Sequence, residues 1–338
     1  EISACLVGSE MCIRDRLTSD NQVYGLFGIL KGATVRNLVL GAESGDTGSF
    51  TVSGNGTTST GVIAGACVDS KIEKCTSYLP MVCEGNNSAN KLMTMGLVGF
   101  VYGAGTSEDT VSQLTDLTNY GALKADPGAA NANGFTSTQV GGIAGFSNTS
   151  RTSTFANRFL RCINHGDMTV STGRASGIVA AANRYTHLTD CTNYGLNDNA
   201  FPRSGYARLG NITCITGPGI KFTNVVNRGD LISRTKGAAG GILCLVNHND
   251  NEFIGCESYG RVISDRPDND YKGTFFGQCK KAAKFRNCIA QGDVGTYNGG
   301  DCIMTGVNAD NYMDYLGAYD ASAVDVTPAN ILYRPAGN

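Results

Sequence analysis

The sequence predicts an all-β chain wound as a right-handed parallel β-helix, a solenoid of about eight coils. The first observation behind this is a two-part signature that recurs eight times. Its first part is a short apolar run closed by a small residue, as in Gly25-Leu26-Phe27-Gly28, Gly96-Leu97-Val98-Gly99 and Gly142-Ile143-Ala144-Gly145. Its second part, 10 to 18 residues later, is an apolar residue followed three positions on by Cys, Leu or Val, with Gly four further in most copies. The second observation is the spacing, because units repeating every 20 to 50 residues bury their apolar faces only against their neighbours. The third is composition: the 45 Gly are about twice the usual share and the 17% charged residues fall below the usual quarter, which favours turns over solvated helix faces.

The small residue closing the first part falls at Gly28, Gly65, Gly99, Gly145, Ala180, Cys214, Cys244 and Gly277, at intervals of 37, 34, 46, 35, 34, 30 and 33. These segments are short, β-branched or aromatic and bounded by Gly, so they read as strands. The anchor of the second part falls at Leu38, Cys75, Leu117, Cys162, Cys191, Val225, Cys256 and Cys288. Three residues before it stand Val35, Ile72, Leu114, Phe159, Leu188, Phe222, Phe253 and Phe285, apolar in every copy. Two inward residues three apart break the period of two, so this element is expected to be a strand with a bend. A third alternating stretch follows the turn, as in Asp167-Met168-Thr169-Val170. The leucine-rich pattern that would signal a horseshoe is absent. Right-handed coiling is the rule for parallel crossovers, and eight coils at strand spacing make a rod of about 40 Å. The helix is expected over 17–299, with 300–338 as a less regular segment. There Tyr312, Tyr315, Leu316 and Tyr319 should cover the last coil, whose strand edges are otherwise unpaired.

Residues 1–16 are set apart as a sequencing artefact. Cys5-Leu6-Val7-Gly8-Ser9-Glu10-Met11-Cys12-Ile13-Arg14-Asp15-Arg16 resembles the translation of a sequencing-library adapter found in assembled metagenomes, and its charged end fits no signal-peptide cleavage region. On this reading the natural N-terminus, with any export signal or lipid anchor, lies outside the chain. A net charge of -2 gives no basic footprint for nucleic acid, and no apolar run reaches membrane-spanning length.

Removing Cys5 and Cys12 leaves 11 of the 13 Cys. Five are anchors, and Cys214 and Cys244 take the small position, which points them inward as small apolar residues. Disulfides between adjacent coils are the other reading, disfavoured because parallel side chains do not reach the required dihedral. Asn119, Asn164, Asn193 and Asn227 precede the turn Gly by two and are expected to form a turn-stabilising ladder, since Asn tolerates the left-handed conformation. Tyr120, Tyr194 and Tyr259 precede it by one. They form either a strip for stacking on sugar rings or a cover for apolar surface, with His165 and Arg228 interrupting it.

The Gly-Leu-hydrophobic-Gly runs resemble the GLUG repeat over roughly residues 22–299, with Ala180, Cys214 and Cys244 departing from the closing Gly. That resemblance implies an exported surface protein of gut-type bacteria, or a stalk like those of IgA-protease-type metallopeptidases, located outside the cell. It implies no activity of its own.

Catalytic signatures are missing. With three His there is no His-Glu-x-x-His, no Gly-x-Ser-x-Gly elbow, and no cofactor or zinc motif. Asp167, Asp230 and Asp293 share one position in alternate coils, a spacing loosely compatible with an inverting carboxylate pair, although Arg261 between the last two also reads as a surface charge ladder. Asp265, Asp268 and Asp270 read either as a calcium loop or as a solvated acidic turn. Between the two signature parts, Gly99 to Leu117 takes 18 residues and Gly145 to Cys162 takes 17. Insertions on a solenoid map to one face and often bind, so Glu108, Asp109, Asn148 and Arg151 are the candidate ligand-binding residues, with the tyrosine strip second. A further set of insertions runs over 84–91, 126–138 and 197–208. The expected function is a non-catalytic, adhesin-like module binding glycan or a host or microbial surface protein. A carbohydrate-active β-helix enzyme and a passive stalk are the alternatives.

Overall fold

The computed structural model describes residues 21–44, 49–53, 57–84, 92–126, 137–199, 207–235, 237–265, 271–298, 301–322, 324 and 326–334. The adapter-like segment, Asp268, Asp270 and most of the second set of insertions lie outside them. The chain is an all-β parallel β-helix of eight coils. Coil three shows the plan in strands Leu92–Gly103, Gln113–Asn119 and Leu123–Asp126. Equivalent strands of successive coils pair in parallel into three sheets of 15, 15 and nine strands. From coil four on, the first sheet's strand divides into two limbs at the glycine-rich corner, as in Ser137–Gly141 and Ala144–Thr149.

The expected register holds throughout. Phe27 pairs with Ala64, Ala64 with Val98, Val98 with Ala144, Ala144 with Val179, and so on through Thr213, Leu243 and Phe276. The eight closing residues, each one position later, therefore fall into a single column. They are small because the two limbs fold back onto each other. A side chain at Gly145 would place its Cβ 2.5 Å from Met95 N and 2.9 Å from Gln139 O. Where Cys takes the position, its thiol donates to the facing limb's carbonyl, Cys214 to Arg208 O at 3.2 Å and Cys244 to Ala238 O at 3.2 Å. This corrects one expectation. Cys214 and Cys244 are buried, but with Ala238 and Leu245 in a small cluster on the outer side of the corner, apart from the main core.

The bend in the second sheet has a conformational cause. The residue immediately before each anchor, Asn37, Lys74, Asp116, Arg161, Asp190, Asn224, Gly255 and Asn287, has φ between 51° and 63°. One left-handed residue turns the chain so that the anchor points back inward, which is how apolar residues three apart share the core. Only Gly adopts this freely, and Asn and Asp tolerate it. Lys74 and Arg161 hold it at a cost. Arg161 returns a forked ion pair to Asp116 in the coil before, at 2.6 and 3.0 Å, which holds the Asp116 carboxyl below its usual range.

The core column of this sheet is Ile72, Leu114, Phe159, Leu188, Phe222, Phe253 and Phe285, all buried. Phe253 and Phe285 stack at 5.0 Å. Burying each such side chain contributes about 1.5–3 kcal/mol.

The asparagine ladder is interior and not left-handed. Asn119, Asn164, Asn193 and Asn227 are fully buried. Each donates to the carbonyl of the Gly two residues on, at 2.8–3.0 Å. The first three also donate to the next Asn Oδ1, at 2.8, 2.9 and 3.2 Å. At the ladder's ends Asn119 Oδ1 and Ser258 Oγ are buried without a hydrogen-bond partner. A second polar column lies at the start of this sheet. There Ser70 Oγ accepts Ala33 N, Ser112 Oγ accepts Ser70 N, and Asn157 Oδ1 accepts Ser112 N.

Past the last coil, Asp301–Thr305 closes the third sheet by pairing antiparallel with Val294–Asn298. Ala318–Tyr319 and Ile331–Leu332 extend the other two sheets in parallel. The described residues of 301–334 thus supply a partial further coil. Leu316 and Tyr312 are buried on the core, Tyr315 packs against it, and Tyr319 meets Phe276 edge-on at 6.0 Å.

Of the cysteines from Cys67 onward, all except Cys302 are buried free thiols. Cys162, Cys191 and Cys288 donate to the carbonyls of Leu114, Phe159 and Phe253 in the preceding coil. Burial pushes Cys67 and Cys279 up to about 12 and Cys83 up to about 11.

Two outcomes follow from this interior. Asn164→Ala removes three ladder bonds and strands buried acceptors, so urea denaturation should show a loss of about 2–4 kcal/mol. Asn164→Ser should lose less, since Ser77 and Ser258 occupy the same column. The Cys67, Cys83 and Cys279 thiols have folded pKa values above the unfolded one, so their contribution is complete below about pH 8.5 and disappears as pH rises toward 12. Stability should therefore fall across that window. In native protein at pH 8, among Cys67 to Cys302, iodoacetamide should label Cys302 alone.

Candidate functional site

The insertions of coils three and four lie edge to edge. Ser150 N donates to Gly103 O at 3.0 Å and Thr154 N to Gly105 O at 3.2 Å, while Gly105 N closes its own loop on Thr110 O at 2.7 Å. Gly105 has φ 68°, and a Cβ there would sit 1.7 Å from Ser153 Oγ, so the loops nest only with Gly. The longer insertion carries a short 3-10 turn, Glu108–Thr110, capped by Ser107.

The four candidate side chains do not meet one another. Glu108 is held by Arg158 of the next coil, Nη2 to Oε1 at 2.7 Å. Asn148 Oδ1 accepts Asn183 Nδ2 at 3.1 Å, and its carbonyl accepts Asn157 Nδ2 at 2.7 Å. Asp109 and Arg151 are exposed and make no hydrogen bond or ion pair among the described residues. The loops therefore form an ordered edge with two uncommitted opposite charges.

The tyrosine strip is longer and more continuous than expected. Tyr78 stacks on Tyr120 at 4.9 Å, Tyr120 on His165 at 4.7 Å and His165 on Tyr194 at 4.7 Å, all within 5° of parallel. Arg228 lies over the Tyr259 ring at 4.8 Å. His165 and Arg228 are rungs of this ladder, not interruptions. Tyr78 escaped notice because Leu79 and not Gly follows it, although the pairing of Ser77 with Asn119 places it in register. Both faces of Tyr120 and of His165 are covered by neighbours, so a sugar ring cannot lie flat on either, and the ladder presents edges and hydroxyls. Burial lowers the pKa of the His165 imidazole.

The carboxylates considered for catalysis serve the coil junctions. Asp167 Oδ1 accepts Leu196 N at 2.8 Å, Asp230 Oδ1 accepts Arg261 N at 2.8 Å, and Asp293 Oδ1 accepts Val307 N at 3.2 Å. Arg261 also forks onto Asp230, Nε to Oδ2 at 2.9 Å. Each carboxylate ties one coil to the next. Among the described residues no cluster of three or more His, Cys, Asp or Glu could hold a metal, and no helix is long and apolar enough to cross a membrane.

One surface was not foreseen. Ser59, Thr94, Gln139, Arg174, Arg208 and Ala238 stand in register on the outer face of the first limb. Ala66, Phe100, Phe146, Ala181, Ile215 and Leu245 stand in register on the outer face of the second. The corner turns these faces toward each other, and the column of small residues runs between them. In coils six to eight the notch is sealed by Ala238, Leu245 and the two thiols, with Ile215 and Tyr271 against them. In coils four to six the same column carries Gln139, Arg174 and Arg208. The available signal was positional, since Gln139, Arg174 and Arg208 each lie six residues before the closing residue. No protein-family model, curated protein or solved structure matches the chain.

Proposed function

We propose that the chain is a non-catalytic β-solenoid module, adhesin-like and extracellular, that binds glycan or protein ligands through the joined insertions of coils three and four. The observation that carries this reading is the ordered loop edge, cross-bonded between coils and bearing exposed Asp109 and Arg151. Directed polar groups on a rigid frame are what selective binding of polar ligands requires. The structural occupation of Asp167, Asp230 and Asp293 supports it over the carbohydrate-active alternative, in which such carboxylates would act as acid and base. The resemblance to GLUG repeats supports the location.

Glycan and protein arrays probed with the recombinant chain should give specific binding. Trimming both insertions to the 10 or 11 residues of other coils should leave the circular dichroism melt within a few degrees and weaken binding at least tenfold. Unchanged affinity would overturn the loop reading. Turnover of polysaccharides that is lost in Asp230→Ala or Asp293→Ala would establish the enzyme reading instead.

A further inference from the structure

The two ends of the rod differ. Strands Asn21–Tyr24, Phe27–Lys31, Thr34–Arg36, Val39–Leu40 and Phe50–Ser53 make up coil one, and among the described residues each pairs only with coil two. Their opposite edges are unpaired. The core is open there as well. From Ile63 in coil two to Phe275 in coil eight, the residue that turns the corner is fully buried, whereas Leu26 in coil one is 48% exposed. The anchor Leu38 is half-buried, and so are Tyr24, Phe27 and Phe50 where they pack on the core.

The other end is covered. Leu316 and Ile331 are fully buried, and Tyr312 is buried on the core with its hydroxyl donating to Ile331 O at 3.2 Å. The outermost strand of the third sheet there runs antiparallel to its neighbour.

Coil one also lacks the devices that keep an edge from pairing, such as Pro or inward-pointing charges. Its strands contain no Pro, and their only charged residues are Lys31 and Arg36. Each of these follows a buried residue, Leu30 or Val35, and so leaves by the outer face of the rod. Val39, 62% exposed, adds an apolar side chain beside the edge.

An unpaired edge around an open apolar core is completed by another edge of the same kind. Head-to-tail stacking of copies needs an open last coil, which Tyr312 and the antiparallel strand close. Coil one of a second copy is open, and a two-fold axis sets the two edges together as antiparallel neighbours. Residues 21–44 and 49–53 match the about 20–30 residues that a specific interface takes from each partner.

We infer that the chain forms a two-fold dimer through the outer edge of coil one, joining two rods end to end. Leu26 and Leu38 of each copy are covered by the other, and the edge N–H and C=O groups pair across the axis. The dimer is independent of what the loops bind, and it sets two copies of the loop edge on one rod of about 80 Å.

Sedimentation equilibrium and light scattering of the full chain at tens of micromolar should give twice the monomer mass. Leu26→Asp should weaken association at least tenfold, and hydrogen exchange of the coil-one amides should be faster in that variant than in wild type. Should Leu26→Asp fail to fold, Val39→Lys replaces a side chain that is already exposed, and association weaker by severalfold is expected. Trimming the two insertions should leave the dimer intact, so loss of ligand binding and loss of the dimer are separable. A monomer at every concentration overturns the dimer, and coil-one amides protected in that monomer would assign the edge to residues 1–20 instead. Mass that climbs beyond two copies would show head-to-tail growth and overturns the two-fold dimer as well. Unchanged association in whichever variant folds also overturns it.

Discussion

Parallel hydrogen bonds between coils place every residue about 4.8 Å from its equivalents above and below, and the remaining features answer to that contact. An interior position must suit its own copy, so the core is built from columns of like on like. Phe253 stacks on Phe285 and Asn164 bonds Asn193, and on the outside the same contact lays the exposed Tyr120 flat on His165. A polar side chain that would be stranded in a globular core is satisfied here because the donor of one coil faces the acceptor of the next. In the asparagine column the cost collects at the ends, where Asn119 Oδ1 and Ser258 Oγ have no partner.

How much of this the sequence revealed depended on whether a column shares chemistry or only conformation. The closing small residues and the anchors share size and polarity, so spacing alone put all eight coils in register. Six of the eight left-handed positions before the anchors hold Asn, Asp or Gly, the types that tolerate it, but Lys74 and Arg161 break the column and no apolar pattern marks it, so spacing alone yields a bend without its cause. The ladder asparagines invited the left-handed role because Asn tolerates it. That conformation lies three residues earlier, and these amides are instead buried bonding partners.

The candidate surfaces divide in the same way. Long spacings at Gly99–Leu117 and Gly145–Cys162 exposed the loops directly, and adjacency followed from register. The capture of Glu108 by Arg158 was not legible, because Arg158 lies in the strand after the second insertion and meets Glu108 only across a coil boundary. His165 looked like a break in an aromatic run for want of a ring-by-ring picture, although an imidazole is itself a flat aromatic rung. Gln139, Arg174 and Arg208 were hidden for another reason. Their column has no common type and faces a corner whose fold-back shows only in the approach of Gly145 to Gln139.

Binding surfaces on such a rod depend on register that does not slip, and the second sheet is pinned at two points in each coil. The left-handed residue fixes where the strand bends, and the Asn or Ser rung fixes where it ends. A slip by one residue would bring Thr115, Thr189, Thr223 and Ile254 in one direction, or the core anchors in the other, into the left-handed position, and would set apolar groups such as Ile163 and Val226 among the amides, both costly. Length inserted before that sheet therefore cannot be absorbed by shifting the strand and must leave as a loop. Adding loop length is cheap, because closure entropy grows only slowly with length. The same devices that make the interior repetitive thus confine variation to the outer edge and to the outward columns beside it, and the insertions bearing Asp109 and Arg151 stand on a frame set by the coils beneath.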